Sequence, residues 1–247
     1  MRYTPTSNFS HQPKLARAKD PGLLIAFEGL DGSGKSTQRR LLKSWLRSMD
    51  EDVVVTKWNS SSELKPLIKQ RKNDRSLDPT SFAALHAADF WRRYETKIVP
   101  ALADGKIVLA DRYIFTGVAR DAARGLDRTL GAKLYENARK PDIVFYFSTT
   151  VDTCARRIVG SREMKFYEAG QDVTGIDDPY ESFRCFGSRV AFEYSRLSEM
   201  FEFVVVDAEL PVYDQHHIIR ETYLTLKPLR LIPSHFEPQS LLSPVDV

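Results

Sequence analysis

The sequence has 247 residues, 42% of them hydrophobic and 28% charged, with a formal charge of +3. That length allows one large α/β domain or two small ones, and the composition is that of an ordinary globular protein rather than a fibrous or disordered chain. So small a charge argues for neither nucleic acid nor a membrane surface as a partner, and no apolar run approaches the ~18 residues of a membrane span. The two cysteines, Cys154 and Cys185, lack metal-ligand spacing and read as reduced thiols. Residues 1–20 carry Pro5, Pro13 and no apolar core, so a secretory signal is not expected and a cytoplasmic protein is.

Along the chain, residues 1–20 read as a flexible arm that ends at Pro21-Gly22. Leu23-Leu24-Ile25-Ala26-Phe27-Glu28 then has the length and apolarity of a buried strand, and a glycine-rich turn joins it to a helical pattern over Gln38 to Leu46. Further β-branched or apolar runs at 52–58, 106–110, 143–147 and 201–207 predict four more strands. Between them, helices are predicted over 63–72 with Ser62 as cap, 79–103 behind Asp78-Pro79, a stretch ending near Ala123, 128–138, 151–159, 180–200 and 211–226. Residues 161–179 are polar, rich in charge and glycine, and without clear periodicity. Alternating strands and helices predict a parallel sheet covered on both faces, with ligands at the carboxyl ends of its strands.

Gly29 to Ser36 fits G-x-x-x-x-G-K-[ST], and it lies between a strand and a helix as that motif requires. Glycines let backbone N–H groups turn toward a polyphosphate, and the helix that follows points its positive end at the same anion. The turn is therefore expected to bind ATP through Gly29, Asp31, Gly32, Ser33, Gly34, Lys35, Ser36 and Thr37. Lys35 would reach the β- and γ-phosphates, and the Ser36 hydroxyl would hold Mg²⁺. Asp111, at the end of the third strand, would hold the same ion through water. Arg112 beside it is suited to bidentate contact with an acceptor phosphate. A carboxylate at Asp31 is costly next to a triphosphate, so its expected partner is Mg²⁺ or an acceptor hydroxyl. Arg156, Arg157 and Arg162 bracket the polar stretch; if it closes as a lid over about 160–178, one or two of them would neutralise the transferring phosphoryl group. Trp58 and Phe90 are candidates for stacking on a base.

These residues carry a resemblance. Phe27-Glu28-Gly29-Leu30-Asp31-Gly32-Ser33-Gly34-Lys35-Ser36-Thr37-Gln38, Ala87-Ala88-Asp89, Asp111-Arg112-Tyr113 and Pro141-Asp142 resemble, in order and spacing, the motifs of thymidylate kinases. The resemblance covers residues 23–226. It implies a three-layer P-loop kinase fold, α/β, with a five-stranded parallel sheet and helices on both faces. It also implies γ-phosphoryl transfer from ATP to a nucleoside monophosphate, a lid carrying a catalytic arginine, and a homodimer, with neither nucleic acid nor membrane as partner. The domain would span 21–226, followed by a tail at 227–247. The departures gather on the acceptor side. Phe90 stands where the family has a base-contacting arginine, and Thr116, Gly117, Arg120 and Asp121 occupy positions of other polar contacts. A lost donor and a gained aromatic ring favour stacking, and so weaker discrimination among bases. Alternatives are a related kinase with another phosphorylated acceptor, or a nucleotide-binding switch without chemistry.

Overall fold

A computed structural model describes residues 22–226. The arm at 1–20 and the tail at 227–247 lie outside the described residues. Five strands form one parallel sheet: β1 (Leu24–Gly29), β2 (Val53–Lys57), β3 (Ile107–Asp111), β4 (Ile143–Ser148) and β5 (Val204–Asp207), in the order β2-β3-β1-β4-β5. Ala26 of β1 is in register with Ala110 of β3 and Val144 of β4. The central strand is buried along its whole length, which is why it reads as a continuous apolar run.

Its side chains alternate between two cores. Ile25 and Phe27 face α1 (Lys35–Ser48), which contributes Leu42 and Leu46, and α11 (Val212–Leu226), which contributes Ile219 and Tyr223. Leu24 and Ala26 face the opposite layer. That layer draws on α3 (Pro79–Arg93), α5 (Ile114–Ala123), α7 (Val151–Val159) and α10 (Pro179–Met200), through residues such as Phe90, Phe115, Ile158 and Phe183. Shorter helices complete the chain: α2 (Lys65–Asn73), α4 (Val99–Ala103), α6 (Arg128–Lys133), α8 (Phe166–Ala169) and α9 (Gln171–Thr174).

The Asp78-Pro79 signal operates as expected, since the Asp78 carboxylate accepts from Thr80 N at 2.9 Å and Ser81 N at 3.0 Å. Asp178 caps α10 in the same way, accepting from Glu181 N at 2.8 Å. The predicted helix over 79–103 is interrupted by a π turn at Tyr94–Ile98. Pro100 lacks an N–H and its ring would crowd the carbonyl four residues back, so the helix widens just before it. No side chain caps α2: Ser61 Oγ accepts from Leu64 N at 3.2 Å in the turn before it, and the expected cap Ser62 bonds to Glu63 instead. The helix expected over 128–138 stops at Lys133 and continues as turns. β5 starts at Val204 rather than at 201, because Glu202 has a left-handed backbone (φ 52°). The polar stretch at 161–179 contains the one-turn helices α8 and α9.

Candidate active site

The turn between β1 and α1 is shaped by glycines that no other residue could replace. Gly32 has φ +81°, and a Cβ there would lie 2.6 Å from the Cys154 carbonyl oxygen. Gly29 has φ +139°, and its Cβ would lie 2.8 Å from the Phe147 carbonyl oxygen. No side chain caps α1; Thr37 N donates to the Gly34 carbonyl at 2.9 Å, and the N–H groups of Lys35 and Ser36 ahead of it are left for an anion. Lys35 folds back over the turn, its Nζ donating to the Leu30 carbonyl at 2.8 Å. Burial, and then the charge of Arg112, bring Lys35 down to about 8. Ser36 Oγ donates to Asp111 Oδ2 at 3.0 Å, and Arg39 Nε meets the same oxygen at 3.2 Å. A hydroxyl and a carboxylate thus stand side by side at the start of the helix, a hard-oxygen pair of the kind Mg²⁺ takes together with phosphate oxygens. Among the described residues there is no cluster of three or more His, Cys, Asp or Glu that would bind a metal by itself.

Arg112 occupies a left-handed backbone (φ 73°), a conformation that costs a non-glycine residue energy and is held here by its side chain. Its Nη1 donates to the Gly29 carbonyl at 2.8 Å and lies 3.2 Å from Thr116 Oγ1 and 3.3 Å from Tyr194 Oη. Its Nη2 donates to Asp31 Oδ1 at 2.7 Å. Asp31 also accepts from Arg120, which is half-buried one turn after Thr116. Burial works to raise the Asp31 carboxyl, but Arg112, Arg120 and Lys35 prevail and hold it well below the usual range. The expected partners of Asp31, a metal or a hydroxyl, are therefore replaced by two guanidinium groups.

Glu28, fully buried in β1, anchors this arrangement from below. Its carboxyl accepts from Tyr113 N at 2.8 Å, Thr116 Oγ1 at 2.6 Å and Tyr194 Oη at 2.9 Å. Burial pushes its pKa up, against those bonds and the charge of Arg112. Thr116 is wholly buried and serves Glu28 and Arg112, which corrects its expected place as an acceptor contact. Phe90 is likewise corrected. It is 0% exposed, with Tyr94 stacked at 5.6 Å and Trp91, Tyr113 and Tyr135 edge-on at 5.2 to 5.3 Å, so it offers no face to a base. Trp58 is half-buried, stacked on His86 at 6.4 Å. The loop after β2 is tied to α3 by Asp89, which accepts from Ser61 N at 2.9 Å and Ser61 Oγ at 2.7 Å. Arg93 Nε donates to the other oxygen of Asp89 at 2.8 Å.

Of the three arginines expected at the lid, Arg157 comes nearest the turn, with Nη1 3.5 Å from the Gly32 carbonyl and Nη2 3.1 Å from that of Ala208. Arg156 is exposed and donates to Thr153 Oγ1 at 3.1 Å. Arg162 is engaged with Glu168, its Nη1 2.7 Å from Oε2. The stretch these residues bracket is fastened to the opposite side of the cleft. Leu77 N donates to Tyr167 Oη at 3.0 Å, and Arg124 donates to the Tyr167 carbonyl at 2.7 Å and to Asp172 at 2.8 Å.

Glu28, Tyr194 and Arg124 were not legible as site residues. Only Glu28 left a signal, a carboxylate inside an apolar strand, which must be satisfied by partners if it is to be buried.

The family model described as thymidylate kinase matches residues 27–219. The probable thymidylate kinase 2 of Saccharolobus solfataricus is 41% identical over 202 residues, covering 81% of this chain and 94% of that protein. The probable thymidylate kinase of Pyrococcus horikoshii is 33% identical over 202 residues, with 79% and 92% covered. The thymidylate kinase of Leifsonia xyli is 35% identical over 203 residues, with 78% and 90% covered.

Proposed function

The chain belongs to the thymidylate kinase family, and from that premise we propose that it transfers the γ-phosphoryl group of ATP to thymidylate, giving dTDP and ADP. The observation that carries the reading is the meeting of Arg112 and Arg120 on Asp31, beside the lysine of the phosphate-binding turn. A nucleotide switch needs the turn but has no use for a second group of cations facing it.

In this reading the backbone of residues 29–36 and Lys35 hold the β- and γ-phosphates. Ser36 and Asp111 would hold Mg²⁺, which when bound would neutralise charge on the transferring group. Arg112 grips the acceptor phosphate with the planar fork that a lysine lacks, while Asp31 keeps that fork aimed. The new bond joins an acceptor phosphate oxygen to the γ-phosphorus, and the bond to the β,γ-bridging oxygen breaks, leaving ADP. The acceptor phosphate is already anionic, so the chain needs to align and neutralise rather than abstract a proton. Arg157, the nearest to the turn, is the lid arginine that would meet charge developing in transit. The acting unit is the domain at 21–226 with its lid at about 160–178, working as a homodimer in the cytoplasm.

A second reading keeps this chemistry with another nucleoside monophosphate as acceptor. It is favoured by Phe90, a buried phenyl ring that offers a base neither a hydrogen-bond donor nor an exposed face. A coupled assay of ADP release over thymidine, uridine, cytidine and purine monophosphates tests both. The highest kcat/KM is expected for thymidylate. A higher value for another nucleotide would select the second reading, and release with none would refute both. Light scattering of the full chain checks the dimer.

A further inference from the structure

Lys72 extends from α2 and places its Nζ 3.1 Å from His86 Nε2. The other ring nitrogen fixes the tautomer. Nδ1 lies 2.7 Å from the Phe82 carbonyl, which can only accept, so Nδ1 carries the proton and Nε2 offers its lone pair to the lysine. Burial and then the charge of Lys72 hold the pKa of His86 well below its ordinary value, so the ring is neutral. The Phe82 ring stacks on His86 at 4.1 Å, and Lys72 Nζ lies 4.8 Å from the centroid of that same ring. Neutral groups therefore seat the ammonium, and its remaining N–H donors are left for another partner.

The charge that acts on Lys72 is mainly positive. Arg124 and Arg120 oppose the charge on Lys72 and Asp31 favours it, but Asp31 already serves Arg112 and Arg120, and Arg124 is engaged by Asp172. Burial, with Arg124 and Arg120, brings Lys72 down to about 7. Cations gathered in this way repel one another until an anion enters among them. The position of the group identifies which anion. α2 follows β2 and α5 follows β3, and the order β2-β3-β1 sets both to one side of the triphosphate cradle at the end of β1.

We propose that Lys72, seated on His86, binds the phosphate of the acceptor nucleotide together with Arg112 and Arg120. This rests on the acceptor reading given above and adds to it a residue from α2.

Calorimetric titration of the full chain with thymidylate and with thymidine, both without ATP, separates the phosphate from the rest of the ligand. Lys72→Met keeps the aliphatic stem and removes the charge. It is expected to weaken thymidylate binding by about 10- to 100-fold, the worth of one charged hydrogen bond, while thymidine and ATP binding stay within about twofold. Equal loss for thymidine and thymidylate, or loss for neither, overturns the proposal. If Lys72→Met does not fold, the wild-type chain carries the test. Reductive methylation of Lys72, followed by mass spectrometry, should be slowed by thymidylate and not by thymidine. Equal protection, or none, overturns the proposal. Failure of the underlying reading looks different: the wild-type chain would then neither bind a nucleoside monophosphate nor release ADP with one.

Discussion

Arg112→Lys separates a side chain from the backbone that carries it. Lysine and arginine are equally penalised at φ 73°, so the strain at this position is the same in both and only the head group changes. The guanidinium spans two partners, the Gly29 carbonyl at 2.8 Å through Nη1 and Asp31 at 2.7 Å through Nη2. An ammonium is a single point and keeps one of them. The loss of one charged hydrogen bond is worth about 1.5–3 kcal/mol, and a fork that no longer matches a phosphate loses as much again from the bound state. Only the second loss, made in the bound state, bears on kcat/KM; at about 1.4 kcal/mol per factor of ten, kcat/KM for the acceptor should fall by about 10- to 100-fold. The dissociation constant of ATP, measured separately by calorimetry, should stay within about threefold, because Lys35, Ser36 and the glycine turn are untouched. Steady-state kinetics at saturating ATP give the first quantity. A variant that loses ATP binding and keeps its acceptor KM would place Arg112 on the donor side and refute the reasoning.

Lys35 titrates at about 8, so the free protein loses that charge as pH rises. ATP affinity should weaken by about tenfold between pH 7 and pH 9, and Lys35→Ala should abolish that slope while cutting turnover by about 10²-fold or more. The sign for stability is opposite. An unfolded lysine titrates near 10.5, so the unfolded chain holds the extra proton between about 8 and 10.5, and the free protein gains stability as pH rises through that window. Urea unfolding at several pH values reads that gain. Gly32→Ala places a methyl group 2.6 Å from a backbone oxygen at φ +81°. It should lower stability by about 1–3 kcal/mol and weaken ATP binding by at least about tenfold; an unchanged melting temperature would mean that the turn relaxes freely. Phe90→Ala should cost about 3–5 kcal/mol in denaturant unfolding, as a buried aromatic does, while the ranking of acceptors stays the same. A reordered ranking in a folded variant would return Phe90 to the base pocket.

What could be read in advance followed from how local each feature is. The phosphate turn, the Asp78-Pro79 helix start and the apolar strands depend on neighbours in sequence, and they stand where their patterns put them. Asp31 was legible as an anomaly, a carboxylate beside a triphosphate, but its partners come from the residue after β3 and from α5, 81 and 89 residues away. Tyr194 reaches Glu28 across 166 residues, a pairing that no periodicity encodes. Phe90 misled because an aromatic residue on a helix has the same pattern whether its ring faces ligand or core. The surrounding Tyr94, Tyr113 and Tyr135 decide between the two only once the helices are packed. The π turn was hidden for a related reason, since Pro100 can stop, kink or widen a helix and the packing selects which.

Tyr167 belongs to the stretch proposed as the lid, and its hydroxyl and carbonyl are bonded to Leu77, which precedes α3, and to Arg124, which follows α5. Neither flank of the cleft can swing outward without parting these bonds. If the two flanks hold the two nucleotides as proposed, opening for one would loosen the enclosure of the other, and each substrate that draws its own flank inward would spare the second part of the cost of ordering the latch. Linkage makes such help mutual. Whatever factor ATP contributes to the affinity for the acceptor, the acceptor returns to ATP undiminished.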